Sequence, residues 1–365
     1  MELLKATLKR IEGLDKNITK LAQQKVDGLC KPLKSLGKLE SIAIQLAGIY
    51  RNLELDVTNK AVISLAADHG VHEENVSNNP QFVTVMQSLG FAKGLTGVCV
   101  IAKSAGAKVI SVDVGIKEDL PIDAGVIIKK VKYGTDNMAK GPAMTREEAI
   151  QSIEVGIEVA NEQIKSGVNV LATGEMGICN TTPSSAVLSV FHRCDPSIVT
   201  GMGAGVDSIE HKIAVIRQAI KVNQPNPDDA IDVLSKVGGL ELGGMAGVIL
   251  SAAANRVPVV IDGFISTVAA LIAYKLEPKV KDFIIPSHFS EEPGAKIANQ
   301  VLGVEPMLYM NMRLGEGSGA ALAFPILDAA SAMMNQMATM EESQRYMQEV
   351  MSKQTISLQK GFHAF

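Results

Sequence analysis

One carboxylate in the sequence lies in a setting that favours proton transfer. Glu316 lies within Gly315-Glu316-Gly317-Ser318-Gly319, directly before the small-residue run Ala320-Ala321-Leu322-Ala323. In a mostly apolar pocket, desolvation raises the pKa of a carboxyl group towards neutrality, which suits it to accept a proton. A glutamate at this position can instead serve only to complement the dipole at a helix N-terminus. The local pattern allows both interpretations.

Two glycine-rich segments have the features of phosphate-binding turns. Residues 174–183 join a predicted strand to a predicted helix, with Thr182 as the expected N-cap and Pro183 as the first helical residue. Glycines allow the backbone to approach a ligand, and a helix start presents N–H groups to an anion. An ordinary strand-to-helix turn has the same pattern. The second segment, residues 201–207, precedes a helix with Lys212, which either contacts phosphate or is a solvated surface lysine.

Three other combinations of residues point away from specific chemistries. Asp68, His69 and His72 lack a fourth ligand and a helical frame, so we expect a polar rim there rather than a metal site. Ser287 and His288 lack a nucleophile elbow, which disfavours a hydrolase triad. The glycine spacing of the first turn is not G-x-G-x-x-G, which disfavours a dinucleotide-dependent dehydrogenase.

Short apolar runs that alternate with longer helical patterns position these residues. Strands are predicted at 61–67, 108–112, 168–172, 257–261, 282–285 and 307–310. Helices are predicted at 145–164, 208–222, 240–255, 265–276 and 319–337, the first beginning with a capping box at Thr145 and Glu148. The alternation predicts an α/β fold with a doubly wound, mostly parallel sheet in a three-layer αβα arrangement. Polar, glycine-rich loops follow the strands, so they share the carboxyl rim where ligands bind.

Composition excludes several classes of protein. Hydrophobic residues make up 47% of the chain, which is enough for a large core and excludes wholesale disorder. The net charge of −4, without a basic stripe, makes nucleic acid an unexpected partner. No apolar run approaches the ~20 residues of a membrane helix, and the first residues do not resemble a signal peptide. Four cysteines without metal-ligand spacing indicate free thiols, so a cytoplasmic location is expected.

Several motifs occur in order along nearly the whole chain. They are Lys31-Pro32, Ser35-Leu36-Gly37-Lys38-Leu39-Glu40, Ala67-Asp68-His69-Gly70-Val71, Gly174-Glu175-Met176-Gly177, Asn180-Thr181-Thr182-Pro183, Asn223-Gln224-Pro225-Asn226-Pro227, Val237-Gly238-Gly239, Asp262-Gly263-Phe264, Ser287-His288-Phe289-Ser290 and Met312-Arg313-Leu314-Gly315-Glu316-Gly317-Ser318-Gly319-Ala320-Ala321. Together they resemble the nicotinate-nucleotide–dimethylbenzimidazole phosphoribosyltransferase family of cobamide biosynthesis. The last motif is highly specific to that family.

The resemblance implies a domain organisation and a set of partners. It implies a large α/β domain at residues 58–305 and a small helical domain from residues 1–57 and 306–365, with the Glu316 loop at their junction. It implies a homodimer, with a heterodimer containing a paralogue as the alternative. The ligands implied are nicotinate mononucleotide and an aromatic base, with no metal and no cofactor.

The resemblance also implies roles for individual residues. Glu316 matches the general base of the family. The positions that hold the nucleotide match Glu175, Gly177, Asn180, Thr181, Gly203, Lys212, Asp262, Gly263, Ser290 and Leu314. Asn79 and Gln87 fall where the family lines its base pocket.

The implied reaction transfers the phosphoribosyl group of nicotinate mononucleotide to 5,6-dimethylbenzimidazole or a related base. Asn79, Met202 and Lys34 differ from residues common in the family, and the first difference leaves the acceptor base open between a benzimidazole, a purine and a phenol. A non-catalytic subunit that pairs with an active paralogue is the alternative from another class. The intact Glu316 loop and residues 174–182 argue against it.

Overall fold

The structure is a computed structural model that describes residues 1–362. The helices are α1 Glu2–Arg10, α2 Lys16–Asp27, α3 Lys38–Tyr50, α4 Phe82–Lys93, α5 Gly97–Ser104, α6 Arg146–Lys165, α7 Thr181–His192, α8 Ile209–Asn223, α9 Ala230–Val237, α10 Leu240–Ala254, α11 Phe264–Leu276, α12 Pro293–Leu302, α13 Ser318–Gln336 and α14 Met340–Phe362. The strands are β1 Lys60–Ala67, β2 Ala107–Gly115, β3 Ile127–Ile128, β4 Val170–Met176, β5 Val259–Ile261 and β6 Ile284–Pro286.

The six strands form one parallel sheet in the order β3-β2-β1-β4-β5-β6. β1 lies at the centre, where Lys60 pairs with Ala107 of β2 on one side and with Val170 of β4 on the other. The strand order therefore reverses between β1 and β4, which is the switch point where ligands bind in open α/β sheets. The predicted α/β class with a doubly wound parallel sheet is confirmed.

Strand β1 illustrates how helices cover both faces of the sheet. Successive side chains of a strand point to opposite faces. Leu65 packs against α10, where a Cβ on Gly244 would lie 2.3 Å from Leu65 Cδ2. Its neighbour Ala66 instead belongs to a buried cluster with Val85 of α4. The strand is buried along its whole length, as the continuous apolar run predicts.

Two strands differ between the sequence prediction and the structure. The predicted strand at 307–310 is wrong, since this segment makes only an isolated parallel bridge between Leu308 and His288. The N–H groups of Met307 and Leu308 both bond to the Ser287 carbonyl, so no regular ladder continues from there. Strand β3 was not predicted because its two residues are too short to produce a recognisable alternation.

The start of α6 and its packing against α10 follow the sequence closely. Thr145 accepts a hydrogen bond from the Glu148 N–H at 3.1 Å, and its own N–H donates to Glu148 Oε2 at 2.8 Å, which confirms the capping box. The small residues of α10 allow close helix contact, because a Cβ on Gly247 would lie 2.0 Å from the Ile153 carbonyl oxygen. Gly243 likewise lies against Ser152 of α6, whereas Gly244 lies against Leu65 of β1, so this run packs closely on both a helix and the sheet.

Backbone contacts divide the chain into two units. The first consists of Met1–Gly13 and Val57–Pro325, and the second of Leu14–Asp56 and Ile326–Phe365. Residues 1–13 and 306–325, which the sequence analysis assigned to the small domain, group with the sheet. The first segment does so because Arg10 donates to the Ala254 carbonyl at the end of α10. The second does so because its backbone hydrogen-bonds to Glu175 near the end of β4 and to Asp262 directly after β5.

One stretch, Phe82–Ser104, is long and apolar enough by composition to span a membrane. In the structure this stretch is two helices, α4 and α5, because the chain leaves α4 at Gly94 in a left-handed conformation with a φ of 73°. About two fifths of the stretch (39%) is buried within the protein. Four of its large apolar side chains are exposed, those of Phe82, Met86, Leu95 and Val100.

Candidate active site

A cavity of about 610 Å³ opens at the carboxyl ends of β4, β5 and β6. This volume lies within the range of small-molecule sites. Every site residue predicted from the sequence lines this cavity: Asn79, Gln87, Glu175, Gly177, Asn180, Thr181, Gly203, Lys212, Asp262, Gly263, Ser290, Leu314 and Glu316. The rim loops of separate strands thus converge on one site, as a parallel sheet requires.

Glu316 lines this cavity and is held by its backbone as well as its side chain. Its carboxylate accepts a hydrogen bond from the Val98 N–H at 3.2 Å, at the start of α5. Its carbonyl accepts from the Ser64 hydroxyl at 2.8 Å, and its N–H donates to Glu175 Oε1 at 3.3 Å. The residue is only 5% exposed and has a φ of +67°. Such a constrained conformation is typical of functional positions.

Burial gives Glu316 the protonation behaviour of a base. Burial raises the pKa of Glu316, the bond from the Val98 N–H opposes this rise, and the nearby Asp262 carboxylate raises the pKa further. A carboxylate with a raised pKa binds a proton more readily than an exposed one. The alternative in which Glu316 only complements a helix dipole does not explain its position inside the cavity.

The glycines beside Glu316 allow the loop to lie against the sheet. A Cβ on Gly315 would lie 2.3 Å from Glu175 Oε1, and a Cβ on Gly317 would lie 2.5 Å from Val62 Cγ1. Both glycines have positive φ, at 86° and 96°. Any other residue at either position would push Glu316 away from the strands.

Glu175, at the end of β4, is a second buried carboxyl group. Burial, and next the Asp262 carboxylate, raise the pKa of Glu175 to about 8, so this group is largely protonated at neutral pH. The Asn180 side-chain amide donates a hydrogen bond to Glu175 Oε2. Two neighbouring acids are therefore held in different hydrogen-bond settings, an arrangement frequent in sites that move protons.

Asp262, directly after β5, bonds to the backbone that follows Glu316. Its Oδ2 accepts from the Gly317 N–H at 3.0 Å, and its Oδ1 accepts from the Gly319 and Ala320 N–H groups at 2.8 and 3.2 Å. His288 Nδ1 lies 3.5 Å from the same Oδ1. The Asp262 carboxylate thus holds the backbone at Gly317, Gly319 and Ala320.

The cavity is also lined by a buried cation, Lys212. Lys212 Nζ donates to the Thr181 hydroxyl and to the Gly201 carbonyl, both at 2.9 Å. The residue is 1% exposed, so the alternative of a solvated surface lysine is wrong. Burial lowers the pKa of Lys212 to about 8, although Glu292 opposes the shift. This part of the cavity is suited to an anion, because α7 begins there at Thr181.

The capping residue of α7 differs from the prediction. The helix begins at Thr181, and its N-cap is Asn180 rather than Thr182. The Thr182 side chain is fully buried and its hydroxyl has no hydrogen-bond partner among the described residues. The helix starts earlier because Asn180 is already in the helical region, with a φ of −59°.

The third part of the cavity is a mixed apolar and amide surface. Val83, Met176 and Leu314 line it together with Asn79 and Gln87. The Asn79 side-chain amide donates to the Ala204 carbonyl at 3.3 Å. The Asn79 carbonyl lies 3.0 Å from His72 Nε2. A flat aromatic ring fits such a surface, since apolar side chains contact its faces and amides contact its edge nitrogens.

His69 supports the cavity from behind. It forms a buried ion pair with Glu241 at 3.2 Å, between Nε2 and Oε1. A Cβ on Gly177 would lie 3.1 Å from the same Nε2, so the imidazole lies directly against the turn that leads to α7. His72 bonds elsewhere, to Asn79. Among residues 1–362, no group of three His, Cys, Asp or Glu side chains is arranged to hold a metal ion.

Comparison with known proteins decides the family. A phosphoribosyltransferase family model matches residues 11–344. The nicotinate-nucleotide–dimethylbenzimidazole phosphoribosyltransferase of Alkaliphilus metalliredigens is 59% identical over 94% of this chain and 99% of its own length. The protein of the same name from Clostridioides difficile is 53% identical over 94% of this chain and 99% of its own length. The chain belongs to the nicotinate-nucleotide–dimethylbenzimidazole phosphoribosyltransferase family.

A solved structure of this phosphoribosyltransferase family has the same fold. The crystal structure of the Thermus thermophilus nicotinate-nucleotide–dimethylbenzimidazole phosphoribosyltransferase has a TM-score of 0.86 and is 37% identical, covering 90% of this chain and 98% of that chain. The resemblance read from the sequence is confirmed, and the chain is an enzyme of the transferase class. The dehydrogenase and non-catalytic alternatives receive no support from these relatives.

Some residues that shape this phosphoribosyltransferase site were not predicted. Ser64 is a hydroxyl within an otherwise apolar strand, and it is fully buried where it bonds to Glu316. This hydroxyl within the apolar run at residues 61–67 was an available signal. Val98 contributes through its backbone N–H, for which side-chain type gives no signal. Glu292 lines the cavity near Lys212, but the sequence did not distinguish it from the adjacent Glu291.

Gly174 provides a direct test of how tightly the Glu316 loop must fit in this phosphoribosyltransferase. A Cβ at position 174 would lie 2.2 Å from the Glu316 carbonyl oxygen and 2.5 Å from Ser64 Oγ. We expect Gly174→Ala to displace Glu316 and lower kcat by on the order of 100-fold, as small misplacements of reacting groups can. Gly141→Ala is the control, because nothing lies within 4 Å of its added Cβ. If steady-state kinetics give Gly174→Ala the same kcat as Gly141→Ala and the unchanged protein, the close fit between Gly174 and the Glu316 backbone is contradicted.

Proposed function

We propose that this protein transfers the phosphoribosyl group of nicotinate mononucleotide to 5,6-dimethylbenzimidazole, with Glu316 as the general base. The single observation that carries the proposal is the placement of a buried glutamate and a buried lysine in one cavity of about 610 Å³. The proposal also draws on relatives that carry this activity in their names, at 59% and 53% identity over nearly their full length.

The nucleotide phosphate binds at the turn before α7. Lys212 supplies the charge, and Gly177, Thr181 and Gly203 form the surrounding backbone and hydroxyl surface. Burial strengthens this charge interaction, because less water screens it. The remaining nucleotide positions, proposed on the resemblance, are Glu175, Asn180, Gly263, Ser290 and Leu314.

The acceptor base binds between Asn79 and Gln87 on one side and the Glu316 loop on the other. Its ring nitrogen attacks C1′ of the ribose from the face opposite nicotinate. The C1′–N bond to the pyridinium breaks, and its electron pair leaves with nicotinate as a neutral ring. Glu316 accepts the ring N–H proton of the base. The product has an α-glycosidic bond, because attack from the opposite face inverts the configuration at C1′.

Positioning of the two substrates supplies a large part of the rate in this scheme. Fixing two reactants in line can contribute about 7–11 kcal/mol in favourable systems. The phosphate site and the Glu316 loop lie on the same rim of the sheet. The sheet therefore holds both substrates in a fixed relative position. A pyridinium ring is already a good leaving group, which leaves proton removal from the base as the main task of a side chain.

A transfer assay with mass identification of the product tests the proposal. The purified chain, supplied with nicotinate mononucleotide and 5,6-dimethylbenzimidazole, is expected to release nicotinate and form an α-ribazole phosphate. Competition with adenine and p-cresol in the same reaction ranks the acceptors, because selectivity follows from the fit of each ring in the pocket. Absence of any ribosylated product from all three bases would reject the proposed reaction.

We propose further that the enzyme is a cytoplasmic homodimer. The described cysteines are free thiols, which suits a reducing compartment. Several large apolar side chains of α4 and α5 are exposed, including Phe82 at 61% and Val100 at 62%. Exposed apolar patches often mark interfaces between proteins. A second copy of the chain would cover this face.

Sedimentation equilibrium tests the dimer. The unchanged protein is expected to have twice the mass of one chain, and the double variant Met86→Glu, Val100→Glu is expected to shift towards the monomer. Both side chains are more than half exposed, so the changes leave the core unaltered. A monomeric mass for the unchanged protein, or an unaltered dimer in the variant, would contradict the proposed interface.

A further inference from the structure

We propose that Asp262 is a positioning residue that holds the Glu316 loop in place, rather than a residue that binds the nucleotide. The inference rests on the proposed function of Glu316 as the base. The resemblance to the family placed Asp262 among the nucleotide-binding positions, so the two assignments predict different kinetic effects.

The hydrogen bonds of the Asp262 carboxylate are largely used within the protein. Three backbone N–H groups, those of Gly317, Gly319 and Ala320, donate to its two oxygens at 2.8 to 3.2 Å. His288 Nδ1 lies beside the same carboxylate at 3.5 Å. A carboxylate has about four acceptor positions. Asp262, which is 3% exposed, therefore has little capacity left for a ribose hydroxyl.

These bonds connect a strand end to the start of a helix. The first N–H groups of a helix have no partner within the helix, and a capping side chain normally comes from the preceding residues. For α13 the acceptor is Asp262, which comes from the loop after β5 instead. These bonds fix the start of α13 to the end of β5. They thereby also fix Glu316, which lies two residues before the helix begins at Ser318.

The Glu316 loop is anchored on both sides of the catalytic carboxylate. On its N-terminal side, Glu175 Oε1 accepts from the Glu316 N–H. On its C-terminal side, Asp262 accepts from the Gly317 N–H. Gly315 and Gly317 both adopt positive φ, a region that glycine enters and leaves freely. If either hydrogen bond is lost, the backbone at residues 315–317 is therefore free to change conformation.

Gly319 explains why the helix start can come so near to this anchor. A Cβ at position 319 would lie 1.9 Å from His288 Nδ1, so only glycine allows α13 to begin against the imidazole. The Ser287 hydroxyl lies 3.2 Å from the same nitrogen. His288 and Gly319 thus set the distance at which Asp262 meets the helix N–H groups.

Asp262→Asn is the test, with Asp113→Asn as its matched control. Asn keeps the size of the side chain but turns one acceptor oxygen into a donor, which opposes a backbone N–H. Asp113 is also a fully buried aspartate in a central strand, and its Oδ1 accepts from the Ile116 N–H at 2.8 Å. Asp113 does not line the cavity. Both variants are compared with the unchanged protein in the full chain.

Three results are expected from Asp262→Asn. First, kcat falls by on the order of 100-fold, as for a displaced reacting group, while the dissociation constant of nicotinate mononucleotide, measured by calorimetry without acceptor, stays unchanged. Second, backbone amides of residues 315–320 exchange faster with deuterium. Third, the acidic limb of the kcat profile moves to lower pH, since Asp262 is one of the groups that raise the pKa of Glu316. The other groups that face Glu316 are the Val98 N–H and Glu175. Asp113→Asn is expected to change none of these quantities.

The proposal would be overturned if Asp262→Asn raises the dissociation constant of the nucleotide by the same factor by which it lowers kcat/KM, while amide exchange at residues 315–320 stays unchanged. If Asp262→Asn does not fold, Ser64→Ala removes a single bond to the same loop and is expected to lower kcat with unchanged nucleotide binding. Unaltered kcat in that variant would also count against anchoring. Amide exchange needs no substrate, so it tests the anchor even if the unchanged protein fails to transfer phosphoribose.

Discussion

Glu316→Gln is expected to lower kcat by about 10²–10⁴-fold while leaving the binding of nicotinate mononucleotide nearly intact. This is the usual contribution of a positioned general base. The substitution keeps the size of the side chain and its acceptor oxygen for the Val98 N–H. It removes the ability to take a proton from the acceptor base. Steady-state assays of nicotinate release measure kcat, and calorimetry measures the binding of nicotinate mononucleotide separately.

The pH dependence of the unchanged enzyme gives a second sign of the same group. Glu316 must be ionised to accept a proton, so kcat falls as pH decreases through its pKa. Burial raises the pKa of Glu316, and therefore the acidic limb lies at higher pH than an exposed glutamate would give. The limb is expected to be absent from the residual activity of Glu316→Gln.

An exposed glutamate is the control for this substitution. Glu147 is exposed in the first turn of α6 and lies outside the cavity, so Glu147→Gln is expected to leave kcat unchanged. Unchanged turnover in Glu316→Gln would reject the assignment of the base. A loss of nucleotide affinity equal to the loss of kcat/KM would instead assign Glu316 to nucleotide binding.

Lys212→Met is expected to weaken nicotinate mononucleotide binding by roughly 30-fold or more with a smaller change in kcat at saturation. Truncating one partner of a buried, hydrogen-bonded charge pair costs about 2–5 kcal/mol, and each 1.4 kcal/mol is tenfold in affinity. Methionine keeps the length and the apolar stem of the side chain, so the packing beside Thr181 and Gly201 is largely kept. Calorimetry with the nucleotide measures the effect.

The same lysine predicts a loss of affinity at alkaline pH. Burial lowers the pKa of Lys212 to about 8, so the ammonium is present below that pH and is lost above it. The KM for the nucleotide is expected to rise as pH increases through about 8, and this rise should be missing in Lys212→Met. Bound phosphate favours the charged form, so saturating nucleotide moves the transition to higher pH.

Lys221→Met is the control on the same helix. It removes a positive charge away from the cavity and so shows whether the effect of Lys212→Met depends on the position of the charge. Lys221 lies near the end of α8, is exposed, and does not line the cavity. Its removal is expected to leave the nucleotide KM unchanged. Equal effects of the two lysine substitutions would show that phosphate binds elsewhere than at Lys212.

Sequence alone predicted the sheet because its signals are local. The apolar run of β1 and the capping box at Thr145 depend only on neighbouring residues, and both are confirmed. Convergence of the site residues on one cavity follows from topology, since parallel strands end at one rim. Glu316 could be singled out because glycines and small residues surround it in the sequence.

Other features depend on contacts between distant parts of the chain. Ser64 meets Glu316 across 252 residues, and no local pattern marks that bond. Asp262 accepts hydrogen bonds from three backbone N–H groups, and no side-chain type in the sequence indicates backbone donors. The segment at 307–310 has the composition of a strand, but only one bridge forms, because its partner His288 lies after the end of β6 at Pro286. Tertiary contacts override local preference in each case.

A crystal structure of the Glu316→Gln variant with nicotinate mononucleotide and 5,6-dimethylbenzimidazole tests the central claim most directly. We predict that the side chain at position 316 lies within about 2.6–3.2 Å of a ring nitrogen of the base. The phosphate should contact Lys212 and the turn at residues 174–181. A side chain at 316 that points into solvent, or a phosphate bound away from Lys212, would contradict the proposed mechanism.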